Sequence, residues 1–271
     1  MEVIEVREII DEGVTVPVIC RLDDGTIAVV KYQRNPFGTT VLINEWVGNC
    51  VADIIGLNIP RFGLCNLSES AIINTNMNEE IDKDNRGISF YSEYIPKTIP
   101  LKRVDLSKIV NREVERLILF DFLIKDEDRH NGNILCTLTK EPQLYFIDCS
   151  HIMMRNRNIN GDIDLNEELS NSVILNTYLL SDKQNNPYDL LCKEIGYRED
   201  VLYRECSNIK SLITKKELED IRNSIPDEWV TELTVKRIDD MFTVLRKRLE
   251  MIEEISEAIV GERRGQQWKN Y

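Results

Sequence analysis

Hydrophobic and polar residues alternate along the first third of the chain in the way that is typical of β-strands. Residues 14–20 and 26–32 flank the turn signal Asp23-Asp24-Gly25, so this region is predicted as a β-hairpin. From 39 to 55 the apolar residues instead recur every three or four positions, which predicts a helix that Gly56 ends. The other elements predicted in this part are short strands at 71–73 and 87–95 and an exposed polar loop at 76–86.

The pattern becomes helical after Pro96 and Pro100, which interrupt the strand pattern. We therefore predict an α+β fold of two lobes, a small β-rich N-lobe over 1–97 and a larger helical C-lobe over 98–271. The short apolar run 144–147 is predicted as a strand inside the C-lobe. The other C-lobe predictions are helices at 106–125, 167–180, 187–196, 214–224 and 234–260, an irregular polar stretch at 155–166 and a frayed tail from Gly261.

Composition narrows the class of protein. The 271 residues are 42% hydrophobic and 30% charged, which is ordinary for a globular chain whose core needs no disulfide. The formal net charge of -13 argues against direct binding to nucleic acid or to an anionic membrane, because phosphate-rich surfaces usually require a surplus of Lys and Arg. The seven scattered cysteines form no Cys-x-x-Cys pair, and the N-terminus lacks a signal-peptide pattern, so a cytoplasmic protein with reduced thiols is expected.

Two segments of the C-lobe carry candidate chemistry. Asp128 and Asn133 share a glycine-containing loop, and Asp148 follows the apolar run 144–147. A carboxylate that accepts a hydroxyl proton, with an amide and a second carboxylate that bind magnesium, is the set that phosphoryl transfer from a nucleotide requires. Each segment alone also fits a solvated charge run or a polar turn, but their combination favours the functional interpretation.

A third element lies in the N-lobe. Lys31 is near the end of the second hairpin strand, and Glu45 lies within the helix predicted over 39–55. A strand lysine that pairs with a helix glutamate positions nucleotide phosphates in kinases. Either residue alone also fits a solvent-facing position, so the pairing is predicted because the Asp128 loop is present elsewhere in the chain.

The combination Asp128-Arg129-His130-x-x-Asn133 with Asp148 resembles the protein-kinase-like superfamily, and most closely its HipA-like kinases. The resemblance implies a bilobal protein-kinase-like fold and an ATP- and Mg²⁺-dependent kinase that phosphorylates serine or threonine in a protein substrate. It also implies that Asp128 is the catalytic base, that Asn133 and Asp148 hold Mg²⁺, and that Lys31 binds the phosphates. HipA-like kinases often act as toxins, which would imply an antitoxin or another regulatory partner.

Several further residues are candidates for nucleotide contacts. They are Thr15, which follows the single glycine of the N-terminal loop, the hinge residues Glu93, Tyr94 and Ile95, and His130, which could instead brace its loop. The chain lacks the Gly-x-Gly-x-x-Gly of many kinases, so the contacts of this loop are not predicted. Cys149-Ser150 replaces the Phe-Gly of the usual Asp-Phe-Gly triplet. Two alternatives stay open: a small-molecule or lipid kinase, and a nucleotide-binding regulator or pseudokinase.

Overall fold

The structure of the protein is a computed structural model. It describes residues 1–10, 15–33, 37–73, 86–101, 105–153, 162–180 and 186–269, with side chains described up to 265. The predicted polar loop at 76–86 and the polar stretch at 155–166 lie largely outside the described residues, as do residues 11–14 of the N-terminal loop.

The N-terminal part is a six-stranded sheet in the order β4-β6-β3-β2-β1-β5. The predicted hairpin forms its centre, because Val18 on one strand is paired with Val30 on the next. The sheet also contains strand β1, which the pattern did not predict. The strands are β1 (Val3–Ile9), β2 (Val18–Leu22), β3 (Ile27–Lys31), β4 (Phe62–Leu67), β5 (Ile72–Ile73) and β6 (Gly87–Glu93).

Helix α1 (Thr39–Ile54) forms where the apolar spacing predicted it. The chain leaves the helix through Gly56, which has a φ of 69° that other residues rarely adopt. The apolar side chains of α1, such as Leu42 and Val47, pack into the same core cluster as the helices of the C-terminal part. The N-terminal sheet has a second cluster of its own, built from residues such as Val6 and Val30. Since Phe90 of β6 belongs to the first of these clusters, helix α1 is packed against both parts of the molecule.

The C-terminal part combines a small sheet with helices. Strands β7 (Thr98–Pro100), β8 (Ile134–Thr137) and β9 (Leu144–Phe146) form an antiparallel sheet in that order. The helices are α2 (Val114–Ile124), α3 (Leu165–Glu168), α4 (Asn171–Ile174), α5 (Pro187–Glu194), α6 (Glu199–Leu212), α7 (Lys215–Asn223), α8 (Glu232–Glu250) and α9 (Ile252–Lys269). In the described part of the chain, no helix is both long enough and apolar enough to cross a bilayer.

Three of the helix predictions for this part were wrong in extent. The helix predicted from 106 begins only at Val114, because the Asn111 side chain exchanges two hydrogen bonds with the Leu144 backbone and holds the chain extended. The helix predicted at 167–180 is two single turns and a 3-10 turn. The helix predicted at 234–260 is divided at Met251 into α8 and α9, and α9 continues through the tail that was expected to fray. Helix α6 was not predicted.

Candidate active site

The predicted lysine–glutamate pair is formed between the sheet and helix α1. Lys31 is the last residue of β3, and its Nζ donates hydrogen bonds to Glu45 Oε1 and, at 3.0 Å, to Asp148 Oδ1. The side chains of Lys31 and Glu45 are 9% and 3% exposed, whereas that of Asp148 is 32% exposed. One cation thus joins the N-terminal sheet, helix α1 and the loop after β9, with its carboxylate partner Asp148 facing the solvent-accessible side.

Glu45 is held in place by the same loop that carries Asp148. Its Oε2 accepts hydrogen bonds from Asn49 Nδ2 at 3.1 Å and from the Cys149 backbone N–H at 3.2 Å. The loop can come this close because α1 has a glycine at the contact, where a Cβ on Gly48 would lie 2.4 Å from Cys149 Cβ. The close packing of Gly48 and Cys149 therefore sets the distance between α1 and the loop.

The pKa values of Lys31, Glu45 and Asp148 are shifted by burial and by the charges of the other two groups. Burial opposes the ammonium form of Lys31, but the carboxylates of Asp148 and Glu45 outweigh that effect and raise its pKa. Burial raises the pKa of Glu45 to about 7 against the opposing effect of Lys31. Burial acts in the same direction on Asp148, but Lys31 and the hydrogen bonds from Ser150 hold its pKa well below the usual range. Asp148 is therefore the carboxylate that stays ionised.

Asp148 has an unusual backbone conformation with a φ of 63°. Asp tolerates this left-handed region better than most residues, and such conformations persist where surrounding contacts enforce them. Here the backbone N–H and the hydroxyl of Ser150 both donate to Asp148 Oδ1, the oxygen that also accepts from Lys31. Oδ2 accepts none of these three hydrogen bonds, so we assign cation binding to that oxygen.

The Asp128 loop is anchored by Arg129, whose side chain is buried. Its guanidinium donates to both carboxylate oxygens of Asp121 in α2, at 2.9 to 3.1 Å, and to the Ile147 carbonyl at 2.6 Å. It also lies 2.9 Å from Asp126 Oδ2, and Asp126 Oδ1 accepts the Asp128 backbone N–H at 3.0 Å. These contacts tie the loop to α2 on one side and to the end of β9 on the other.

Asn133 links the Asp128 loop to the segment that carries Asp148. Its backbone carbonyl accepts the Ile147 N–H at 3.0 Å, next to Asp148, and its Nδ2 donates to the Asp128 carbonyl at 3.2 Å. Since Nδ2 is engaged as a donor, Oδ1 is the atom that can bind a cation. The described residues contain no group of three or more His, Cys, Asp or Glu that could hold a metal ion. One amide and one carboxylate oxygen suit Mg²⁺ that binds together with nucleotide phosphates.

The comparisons with known proteins agree with this arrangement. The family model described as "HipA-like kinase" matches residues 3–256. The chain belongs to the HipA-like kinase family. The recognition made from the loop residues is thereby confirmed, and so is the α+β, protein-kinase-like fold class. No curated protein matches the chain.

Solved structures of kinases have the same fold as this family member. The Helicobacter pylori proinflammatory kinase CtkA superposes with a TM-score of 0.55 at 17% identity, covering 95% of this chain and 98% of the other. The Golgi casein kinase with Mn/ADP bound gives a TM-score of 0.52 at 9% identity, covering 95% and 74% of the two chains. A second structure of the Golgi casein kinase gives 0.52 at 8% identity, covering 95% and 73%. At these identities the likeness shows the fold alone.

The remaining candidate residues of this kinase are Thr15, the hinge residues 93–95 and His130. Thr15 is buried just before β2, next to the undescribed residues 11–14. The backbone N–H of Glu93 donates to the Arg61 carbonyl, and that of Tyr94 donates to the Ile27 carbonyl. Neither amide is therefore directed at a nucleotide in this structure, and the Ile95 carbonyl accepts from the Thr98 hydroxyl. A hinge contact with adenine stays a prediction.

His130 braces its own loop. The ring is exposed, and its Nδ1 accepts the Gly132 N–H at 2.9 Å, which caps the 3-10 turn Asn131–Asn133. A role in binding nucleotide therefore stays a prediction for this residue. The described contacts support the bracing role that was weighed beside it.

Two supporting residues of the site were missed in the sequence. Asp121 is fully buried in α2 and holds Arg129, and Tyr188 Oη donates to its Oδ2 at 2.8 Å. A lone carboxylate in the apolar run Ile118–Ile124 was the available signal. Ser150 was noted only as a departure from the Asp-Phe-Gly triplet, although its hydroxyl binds both Asp148 and His151. No pattern in the sequence pointed to that bridge.

Proposed function

We propose that the protein is an ATP- and Mg²⁺-dependent kinase that transfers the γ-phosphate to a serine or threonine hydroxyl of a protein substrate. The observation that carries the proposal is the contact between Lys31 Nζ and Asp148 Oδ1, at 3.0 Å and 117 residues apart in the chain. It joins Lys31 of the N-terminal sheet, which would bind the nucleotide phosphates, to the carboxylate of Asp148, which follows β9. Membership of the HipA-like kinase family supports the reaction class.

Each residue of the site has a role that follows from its position. Lys31 would bind the nucleotide phosphates, and Glu45 holds the lysine in the direction it needs. Asn133 Oδ1 and Asp148 Oδ2 would hold Mg²⁺, which supplies charge neutralisation at the phosphates. Asp128, 23% exposed, would accept the proton of the attacking hydroxyl. The related fold of a kinase with Mn/ADP bound supports nucleotide and metal use.

The proposed phosphoryl transfer accounts for every bond and for the proton. The acceptor oxygen forms a bond to the γ-phosphorus while the bond from that phosphorus to the bridging oxygen of ADP breaks. The hydroxyl proton passes to Asp128, and the leaving charge stays on ADP. Because little covalent chemistry falls to the protein, its contribution is to position the reactants and stabilise charge.

The proposed function is tested by phosphate transfer from γ-labelled ATP with Mg²⁺ into a bacterial lysate. Wild type should label protein, and Asp128→Asn should reduce labelling at least about 100-fold, because an amide cannot accept the proton. Asp128→Asn should still bind nucleotide, seen as an increase in melting temperature with Mg²⁺ and ATP. Lys31→Met should lose that increase. Glu141→Gln, an exposed carboxylate in the β8–β9 turn, is the matched control and should behave as wild type.

The other outcomes of this assay identify the rival functions. Label in an acid-soluble product instead of protein would favour a small-molecule or lipid acceptor. Nucleotide-induced stabilisation without any transfer would favour a regulator or pseudokinase. Equal labelling by wild type and Asp128→Asn would reject Asp128 as the base. Four expectations stay predictions: a protein substrate, an antitoxin or regulatory partner, the absence of nucleic-acid or membrane binding, and a cytoplasmic location.

A further inference from the structure

The segment after Asp148 contains a second histidine that lies against the proposed base. His151 Nδ1 is 3.6 Å from Asp128 Oδ2 and 2.9 Å from Ser150 Oγ, and its side chain is 9% exposed. Ser150 Oγ in turn donates to Asp148 Oδ1. A single chain of polar atoms therefore runs from the carboxylate proposed as base to the carboxylate proposed as metal ligand.

The hydrogen-bond donors between Asp128, His151, Ser150 and Asp148 can be assigned by counting hydrogens. Ser150 Oγ has one hydrogen and lies near two acceptors, the ionised Asp148 carboxylate and the His151 ring. A hydroxyl bonds more strongly to a carboxylate than to a neutral group, so the hydrogen goes to Asp148. Ser150 Oγ must then accept from His151, which requires the hydrogen of the neutral ring to be on Nδ1. The same nitrogen is the ring atom that lies 3.6 Å from Asp128 Oδ2.

The backbone around His151 holds this geometry. The Asn44 side chain of α1 donates to the Ser150 carbonyl at 2.7 Å. Ile152 forms an antiparallel bridge with Asp126, and the Met153 N–H donates to the Lys125 carbonyl at 3.1 Å. The histidine is thus held between the two loops of the site by contacts with residues that are distant in the sequence.

We propose that His151 is a positioning residue for Asp128, and that Ser150 holds it in the Nδ1–H tautomer that this role needs. The inference rests on the proposed function, because it assigns Asp128 as the base. The 3.6 Å separation is too long for a hydrogen bond, and such catalytic contacts commonly shorten when the substrates bind. A donor at Oδ2 restricts the rotation of the carboxylate.

Two substitutions of His151 distinguish this role from simple packing. His151→Asn keeps an N–H donor close to the position of Nδ1 but loses most of the ring, whereas His151→Phe keeps the ring volume and loses the donor. We expect His151→Phe to lower kcat about 10- to 100-fold, the usual effect of removing a residue that orients a catalytic group, with KM for ATP nearly unchanged. His151→Asn should retain most of the activity. The reverse ranking would show that His151 only fills space and would overturn the proposal.

The tautomer is measured without any activity. The chain has only two histidines, so ring ¹⁵N labelling gives two sets of signals, which a His130→Gln variant assigns. At about pH 8.5, two units above the ordinary histidine pKa of about 6.5, His151 should be the Nδ1–H form. His130 should be the opposite Nε2–H form, since its Nδ1 accepts the Gly132 N–H. Ser150→Ala should move His151 towards the Nε2–H form.

The two measurements separate the inference from the function on which it rests. An Nε2–H form of His151 in wild type would overturn the hydrogen-bonded bridge even if Asp128→Asn abolishes phosphate transfer and the kinase stands. Absence of transfer by wild type would reject the proposed function and the positioning role together, while the tautomer would still decide whether the bridge between Ser150 and His151 exists.

Discussion

Gly48 is the residue at which one added carbon would disturb the site most directly. A Cβ there would lie 2.4 Å from Cys149 Cβ and 2.8 Å from Cys149 Sγ. Such an overlap has to move helix α1 away from the loop, and Glu45 moves with the helix. We expect Gly48→Ala to destabilise the protein by about 1–2 kcal/mol, since the overpacking exceeds the gain in helix propensity. Phosphate transfer should fall at least about 10-fold as Glu45 separates from Lys31.

The same substitution at Gly261 in α9 is the matched control. A Cβ at Gly261 would meet nothing within 4 Å, so only the helix propensity of alanine acts there. Gly261→Ala should be neutral or stabilise the protein by up to about 1 kcal/mol, with unchanged activity. Chemical denaturation of both variants measures the opposite signs. Equal effects at the two glycines would mean that the Gly48–Cys149 contact does not set the position of α1.

The candidate residues of the site could be predicted from the sequence, but the residues that hold them in place could not. Lys31, Asp128, Asn133 and Asp148 stand out because each is a charged or amide group in a recognisable local context. The roles of Asp121 and Ser150 depend on contacts with residues that are distant in sequence or on an assigned hydrogen position. Neither property produces a local pattern, so the hydrogen-bonded framework became visible only in the folded chain.

Helix α2 and the Asp128 loop are joined by one buried cation, Arg129, between two buried carboxylates. Arg129 balances only one of Asp121 and Asp126, so the cluster has an excess negative charge when both are ionised. Burial raises the pKa of Asp126 to about 7, with Arg129 opposing the shift and Asp121 adding to it. The group therefore favours the folded state when it is protonated. Its stabilising contribution falls as the pH rises from about 4 towards 7.

Asp126→Asn removes this titration. We expect the melting temperature of the variant, relative to wild type, to increase between pH 5 and pH 8, because only the wild-type carboxyl loses its proton in that interval. Thermal denaturation of both proteins in the same buffers measures the difference in melting temperature. The contributions of the other titrating groups cancel in that difference. A difference that stays constant, or that decreases with rising pH, would show that Asp126 is ionised throughout and that its charge is accommodated.

Elements were predictable where the hydrophobic period was unbroken. The β2–β3 hairpin and α1 have such periods, and both form as predicted. Strand β1 was missed because its pairing with β2 shifts register after Val3 and again after Val6, which disrupts the alternation. Helix α6 was missed because one of its buried positions is Glu205, whose carboxylate is satisfied by Arg116 of α2 at 2.9 Å. In both cases a tertiary contact compensates for a weak local pattern.

Across the whole molecule, the segment 224–229 of the C-terminal part holds the N-terminal sheet and α1. Trp229 Nε1 donates to the Ile88 carbonyl at 2.8 Å, and Glu228 Oε2 accepts from Gln33 Nε2 and from the Ile88 N–H. Trp46 Nε1 of α1 donates to Ser224 Oγ at 2.8 Å. Because β3 carries Lys31 and α1 carries Glu45, this contact fixes both elements relative to the loop that carries Asp148. The lobe boundary near 97 stays a prediction, since α1 shares the core of the C-terminal part.

The two tryptophans at this contact allow its contribution to be measured. Trp229 is fully buried and Trp46 is partly buried, with its hydrogen bond exposed, so the same change to phenylalanine removes an indole N–H in two environments. Trp229→Phe should lower the free energy of unfolding by about 1–3 kcal/mol, from the lost hydrogen bond and the cavity left behind. Trp46→Phe should cost less than about 1 kcal/mol. Urea unfolding followed by far-ultraviolet circular dichroism measures both, and it avoids the fluorescence that the substitutions themselves alter.

If the contact also orients Lys31, Trp229→Phe should raise KM for ATP more than Trp46→Phe does. Loss of stability without that change in KM would mean that the segment only holds the fold together.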